Sequence, residues 1–170
     1  MKTLVLFLLL AVSCFAGDRV ECADGRYSFE FPADWEKTRD PAGSADLSRT
    51  NPDGSVIASV TTQAIPENQK PDMEAVAKSQ AAQLAKAIKF EGEAAISNGK
   101  LDGCDARFIM LLPEGGSIGM VSVFIDGGKD LIEYRAILTL PLSEEIRKQC
   151  LESVNSFKRE STKKEKSEDE

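Results

Sequence analysis

The chain has 170 residues, 42% hydrophobic and 6% aromatic, with 28 Asp+Glu against 21 Lys+Arg, a formal net charge of −7 and no histidine. That length fits one domain of roughly 100–200 residues, and the mix of apolar and charged residues is that of a globular chain rather than a disordered one. The acidic balance argues against a general nucleic-acid surface. The missing imidazole removes Ser–His and Cys–His nucleophile pairs and histidine metal ligands.

Met1-Lys2-Thr3 precedes an uncharged apolar run, Leu4–Val12. One basic residue, a short apolar run and then small residues form the pattern of an export signal. The run is too short to span a bilayer, which takes about 20 apolar residues. Two processing routes are legible. Ser13-Cys14-Phe15-Ala16 places small residues three and one before a cut after Ala16, which makes residues 1–16 a signal peptide. Ala11-Val12-Ser13-Cys14 resembles a bacterial lipobox, with Ala11 where Leu is usual; residues 1–13 are then removed and Cys14 carries lipid. Both routes leave Cys22, Cys104 and Cys150, and an oxidising compartment permits one disulfide among them. Of the three pairings, Cys104–Cys150 is favoured because each residue lies on an apolar face, one in a strand and one in a helix. The alternative is inert buried thiols. No C-x-x-C is present to support redox catalysis.

Val20–Cys22 and Arg26–Phe31 read as two strands about an Asp24-Gly25 turn, with Tyr27, Phe29 and Phe31 alternating with Ser28 and Glu30. Pro32 ends the second strand, and the lone Trp35 beyond it is expected to plug the core. Ala45–Thr50 and Ser55–Ile65 are strands joined by the turn Asn51-Pro52-Asp53-Gly54. From Pro71 the period changes: Met73, Val76, Ala77, Leu84 and Ile88 recur at helical spacing. Cys104–Leu112, Ser117–Ile125 and Leu131–Leu140 are further strands. Ser143 caps a last helix with Glu144 and Glu145 in its first turn and Ile146, Cys150, Val154 and Phe157 along one face. Lys158–Glu170 carries five basic and five acidic residues and nothing large and apolar, so a solvated disordered tail is expected. The body, 17–157, holds 15 basic and 23 acidic residues, about −8.

Strands joined by tight turns, with a helix after each run, predict an α+β fold: an antiparallel sheet with helices packed on it, an α/β/α sandwich. The segment Tyr27-Ser28-Phe29-Glu30-Phe31-Pro32-Ala33-Asp34-Trp35 resembles the opening segment of PsbP/DcrB-like domains. Asn98-Gly99-Lys100-Leu101-Asp102-Gly103 resembles the hairpin after the first helix of that fold, and Glu152-Ser153-Val154-Asn155-Ser156-Phe157 its last helix. The similarity spans Val20–Phe157. It implies a fold shared by an extrinsic photosystem II protein, bacterial envelope lipoproteins and a Ran-binding import protein, which act mostly as binding or accessory modules. Fold alone does not fix function.

Catalytic chemistry finds little to use. The carboxylate pairs Asp102/Asp105 and Asp126/Asp130 fall at turns or outward faces and read as solvated. A calcium site needs more converging oxygens than Asp126–Asp130 offers. Gly115-Gly116 and Gly127-Gly128 precede strands, so they read as hairpin turns rather than phosphate cradles. The expectation is an exported, monomeric, non-enzymatic envelope module without cofactor or metal. It binds a protein partner, and it meets the membrane only where the lipobox route leaves a lipid on Cys14; otherwise it is periplasmic or secreted. The alternative is a periplasmic protein that binds a small ligand or metal between the sheet and the long helix.

Overall fold

The structure, a computed structural model, describes residues 17–39 and 43–160. Cys14, both processing sites and the tail from residue 161 lie outside the described residues. In chain order the elements are β1 (Gly17–Cys22), β2 (Tyr27–Pro32), β3 (Glu36–Lys37), β4 (Leu47–Thr50), β5 (Val56–Ala64), α1 (Met73–Ala87), β6 (Ala95–Leu101), β7 (Cys104–Leu111), β8 (Ile118–Asp126), β9 (Asp130–Thr139), α2 (Glu144–Asn155) and β10 (Lys158–Arg159). Seven strands form an antiparallel sheet in the order β3-β4-β5-β9-β8-β7-β6, and a smaller sheet runs β1-β2-β10.

Local chemistry places these elements. The β6–β7 turn is Asp102-Gly103, both at positive φ (46° and 79°), which a two-residue hairpin turn of this hand requires. Asp72 caps α1, its side chain accepting from the backbone of Glu74 and Ala75 at 3.1 Å each. Pro71 thus stands just before the cap, where the chain needs no helical hydrogen bond. Ser143 caps α2 by accepting from Ile146 N at 3.2 Å, with Glu144 and Glu145 in the first turn as expected.

The large sheet is apolar on both faces because both are covered. Ile109, Leu111, Met120 and Phe124 pack under Met73, Ala77, Ala81 and Leu84 of α1. The opposite face carries Val56, Ala58, Val60, Val123, Ile132, Tyr134 and Ala136, and there it meets Tyr27, Phe29, Phe31, Trp35 and Phe157. The α+β architecture is as expected, but the layer opposite α1 is not helix alone. It holds the small sheet together with α2. Trp35 plugs this core at 3% exposure, its ring 6.2 Å from that of Phe31.

The C-terminal boundary differs from expectation. Lys158 and Arg159 pair with Ser28 and Tyr27 of β2, and Glu160 N donates to Arg26 O at 2.8 Å. The Glu160 carboxylate accepts from Ser28 Oγ at 2.6 Å and pairs with Arg19. The domain therefore runs through Glu160, not Phe157. Phe157 is the reason: its ring lies 5.3 Å from Phe29 and 5.9 Å from Tyr27, which lays the next residues beside the open edge of β2. Charge and hydrophilicity concealed a strand held by its backbone. Phe157→Ala is expected to cost about 3–5 kcal/mol, and ending the chain at Phe157 about 1–2 kcal/mol, both read from urea denaturation.

Candidate binding surface

The acidic pairs part company in the structure. Asp126 sits in the β8–β9 turn and accepts from Gly128 N at 2.9 Å. Asp102 accepts from Arg159 N at 2.8 Å, and Asp105 lies 3.3 Å from Lys100 Nζ. These are the turn and surface roles expected. Asp130 is different: it is 3% exposed, not solvated. Arg26 donates to it through Nε at 2.9 Å and Nη2 at 3.1 Å, a bidentate pair that satisfies a buried carboxylate. Beside it Tyr27 OH donates to Gly127 O at 3.2 Å. A side chain at Gly127 would lie 2.5 Å from that hydroxyl, so this approach needs glycine. The cluster ties the β1–β2 turn to the β8–β9 turn. It is a clamp between layers, and every strong donor and acceptor in it is already engaged.

The edges of the sheets are less well satisfied. One side of the large sheet ends in β3, only two residues long. The free edge of the small sheet, β1, carries Asp18, Arg19 and Glu21, and β10 is again two residues. Short and charged edges deter strand addition. The far edge of the large sheet is neither short nor densely charged. β6 is seven residues with one charge, Lys100, and among the described residues it pairs only with β7. Five of its residues are exposed, Ile96 at 40%. Beside it stand Met110 at 40%, Leu112 at 49% and Ile118 at 50% exposure. Next to Leu112 and Ile118 a groove of about 670 Å³ opens against Ile88, Phe90 and Pro113. Open backbone groups and apolar side chains thus converge on one end of the molecule.

The sequence hardly marked this surface. Ala95-Ile96-Ser97-Asn98-Gly99 does not alternate clearly, because an edge strand exposed on both faces has no pattern to keep. The space between the sheet and α1, expected to hold a ligand in the alternative reading, contains a groove of about 430 Å³ bordered by Gln63–Pro66, Gln69–Pro71 and Leu131. Among the described residues no group of three Cys, Asp or Glu side chains is arranged to hold a metal ion.

No family model matches the chain, and neither does any curated protein. Solved structures do. The solution structure of cyanobacterial PsbP (CyanoP) from Synechocystis sp. PCC 6803 superposes with a TM-score of 0.65 at 13% identity, covering 91% of this chain and 99% of that one. The chain folds as a PsbP-like domain. A point mutant of Mog1 shares the fold, with a TM-score of 0.54 at 12% identity over 86% of this chain and 97% of that one. A protein from Bacteroides thetaiotaomicron VPI-5482 gives 0.57 at 16% identity; the PsbP-like chain spans 86% of itself but 49% of that structure.

Within this PsbP-like domain the Cys104–Cys150 bridge is not formed, and Cys22, Cys104 and Cys150 are free thiols. Cys104 stands at the β6–β7 turn, opposite Leu101, whereas Cys150 faces Tyr134 from α2, so the two sample different parts of one core. Burial pushes Cys22 up to about 12, with Asp46 and Asp130 adding and Arg26 opposing. Burial likewise raises Cys150 to about 11, and it raises Cys104. A thiol raised in the folded state keeps its proton after the unfolded chain, titrating near 9.0, has lost it. Stability is then full below about pH 9 and falls as pH climbs towards 11–12. Melting temperature should decline progressively from pH 9 to pH 11, and Ellman's reagent should label the native thiols far more slowly than the denatured ones at pH 8. An unchanged melting temperature, or equal labelling rates, would contradict the burial described.

Proposed function

We propose that this PsbP-like domain is an exported, non-enzymatic accessory module of the cell envelope that binds a protein partner through the open edge of β6. One observation carries the reading. Of the four sheet edges, the long one with a single charge is the one flanked by exposed Ile96, Met110, Leu112 and Ile118. An extended partner segment would add its backbone to β6 and set apolar side chains into the groove beside Phe90, Leu112 and Ile118. The export signal read from residues 1–16 supports the envelope location. Among the described residues no helix is long and apolar enough to cross a membrane, so an anchor at Cys14 would supply the membrane contact.

A photo-crosslinker placed at Ile96 should capture a discrete envelope protein, whereas one at Leu151, exposed on α2 at 58%, should not. Ile96→Glu combined with Met110→Lys should abolish capture and leave the melting temperature within a few degrees, since both side chains are exposed. Recovery of free monomer alone, or equal capture from both positions, would refute the reading. Cys14→Ala should release the protein from membranes and remove palmitate labelling. Wild-type protein that is already soluble and unlabelled would rule out the lipid anchor.

A further inference from the structure

Arg49 is 4% exposed. It lies on β4 opposite Ala58, just as Leu47 lies opposite Val60, so strand alternation sets a cation on the core-facing side of the sheet. A buried guanidinium normally has its donors filled, and even the partly exposed Arg26 makes two hydrogen bonds to Asp130. Arg49 does not. Nη1 reaches Ser48 O at 3.5 Å, Nη2 lies 3.7 Å from Asp18 Oδ2, and Nε has no partner. Good N–H···O bonds run at about 2.7–3.2 Å, so both contacts are loose. A buried charge is tolerated when it is paired and hydrogen-bonded. The fork is built and under-used.

It also borders a groove, from which its side chain is largely screened. Arg49 lines a groove of about 680 Å³ between β1 and the β3–β4 edge, together with Asp18, Lys37 and Asp46. The neighbouring charges are unevenly committed. Asp46 accepts from Thr62 N at 2.7 Å and Thr62 Oγ1 at 2.6 Å. Arg19, also on the groove wall, is held by Ser28 and Glu160. Lys37 pairs across the strands with Arg49, is exposed, and has no ion-pair partner among the described residues. Asp18 is 69% exposed and only loosely engaged. Glu21 stands on the same wall and is exposed, so two uncommitted cations confront two carboxylates that Thr62 does not hold, Asp18 and Glu21.

We propose that this groove binds an oxyanion, a carboxylate or a phosphate group, gripped by the planar fork of Arg49 with Lys37 at the rim and Asp18 swung aside. Planar guanidinium donors match both groups bidentately. The site is independent of β6 and stands or falls without it.

The probes are sodium phosphate and sodium acetate at millimolar concentration, against sodium chloride at equal ionic strength, on the full chain. The readouts are melting temperature and the fluorescence of Trp35, the lone tryptophan, two residues before Lys37. A ligand bound only by the native state raises the melting temperature, and the ion that acts identifies the group recognised. Asp18→Asn should tighten binding about threefold by removing the competing carboxylate. Arg49→Met should weaken it at least about tenfold while holding or raising its own melting temperature, because an apolar side chain of similar volume replaces a poorly paired ion. Lys37→Ala, at an exposed position, should weaken binding several-fold and covers the case in which Arg49→Met fails to fold. No response beyond chloride to either ion, or undiminished binding in both the Arg49 and Lys37 variants, would overturn the proposal.

Discussion

The fold turns on a seam of aromatic rings. Tyr27, Phe29 and Phe31 project from one side of β2 and are all but inaccessible to solvent. Phe29 and Phe31 meet Tyr134 on the large sheet at 5.6 and 6.1 Å, while Tyr27 and Phe29 meet Phe157 beyond α2. Three parts of the chain far apart in sequence are thus joined through one six-residue strand. Offset and tilted ring pairs are favourable beyond the area they bury. The docking of the small sheet, the path out of α2, the pairing of β10 and the close pass of Tyr27 over Gly127 all follow from that seam. So does the polar clamp of Arg26 and Asp130, which closes the seam at its open end.

Covering the faces of the large sheet limits where unsatisfied groups remain. α1 seals one face over β7 and β8, and the aromatic layer seals much of the other. Unpaired groups are left at sheet edges and at junctions between layers. β6 is such an edge, and the groove beside Arg49 is such a junction, where β1 of one sheet runs past β4 of the other. The two features lie in strands at opposite margins of the large sheet. Cys22 and Cys104 sit inside the packed layers and Cys150 is partly buried against them, and burial keeps these thiols protonated.

Much of this architecture was legible in the residues. The alternation of Tyr27, Phe29 and Phe31, the helical spacing from Met73 to Ile88, and the Ser143 cap each state a local preference that the fold keeps. What failed to show was whatever depends on a distant partner. Asp130 looked solvated because its turn looked solvated; Arg26, 104 residues away, buries it. Lys158–Glu160 looked like tail because nothing in those residues is apolar, yet their backbone pairs with β2. Arg49 did carry a signal. It shares its side of β4 with Leu47, so the period of two that identifies the strand also puts a charge where an apolar residue belongs. The open edge at β6 carried almost none, since a strand without a buried face writes no pattern.

The unequal margins of the large sheet bear on how many partners the molecule can join at once. A sheet with one receptive side and one closed side has a valence of one in the hydrogen-bonding direction. It can accept a strand, or close on a second copy about a twofold axis, but it cannot hand the pairing on. Assembly through this direction is therefore finite. Two-residue β3 offers too little backbone for that margin to extend the pairing into a fibre.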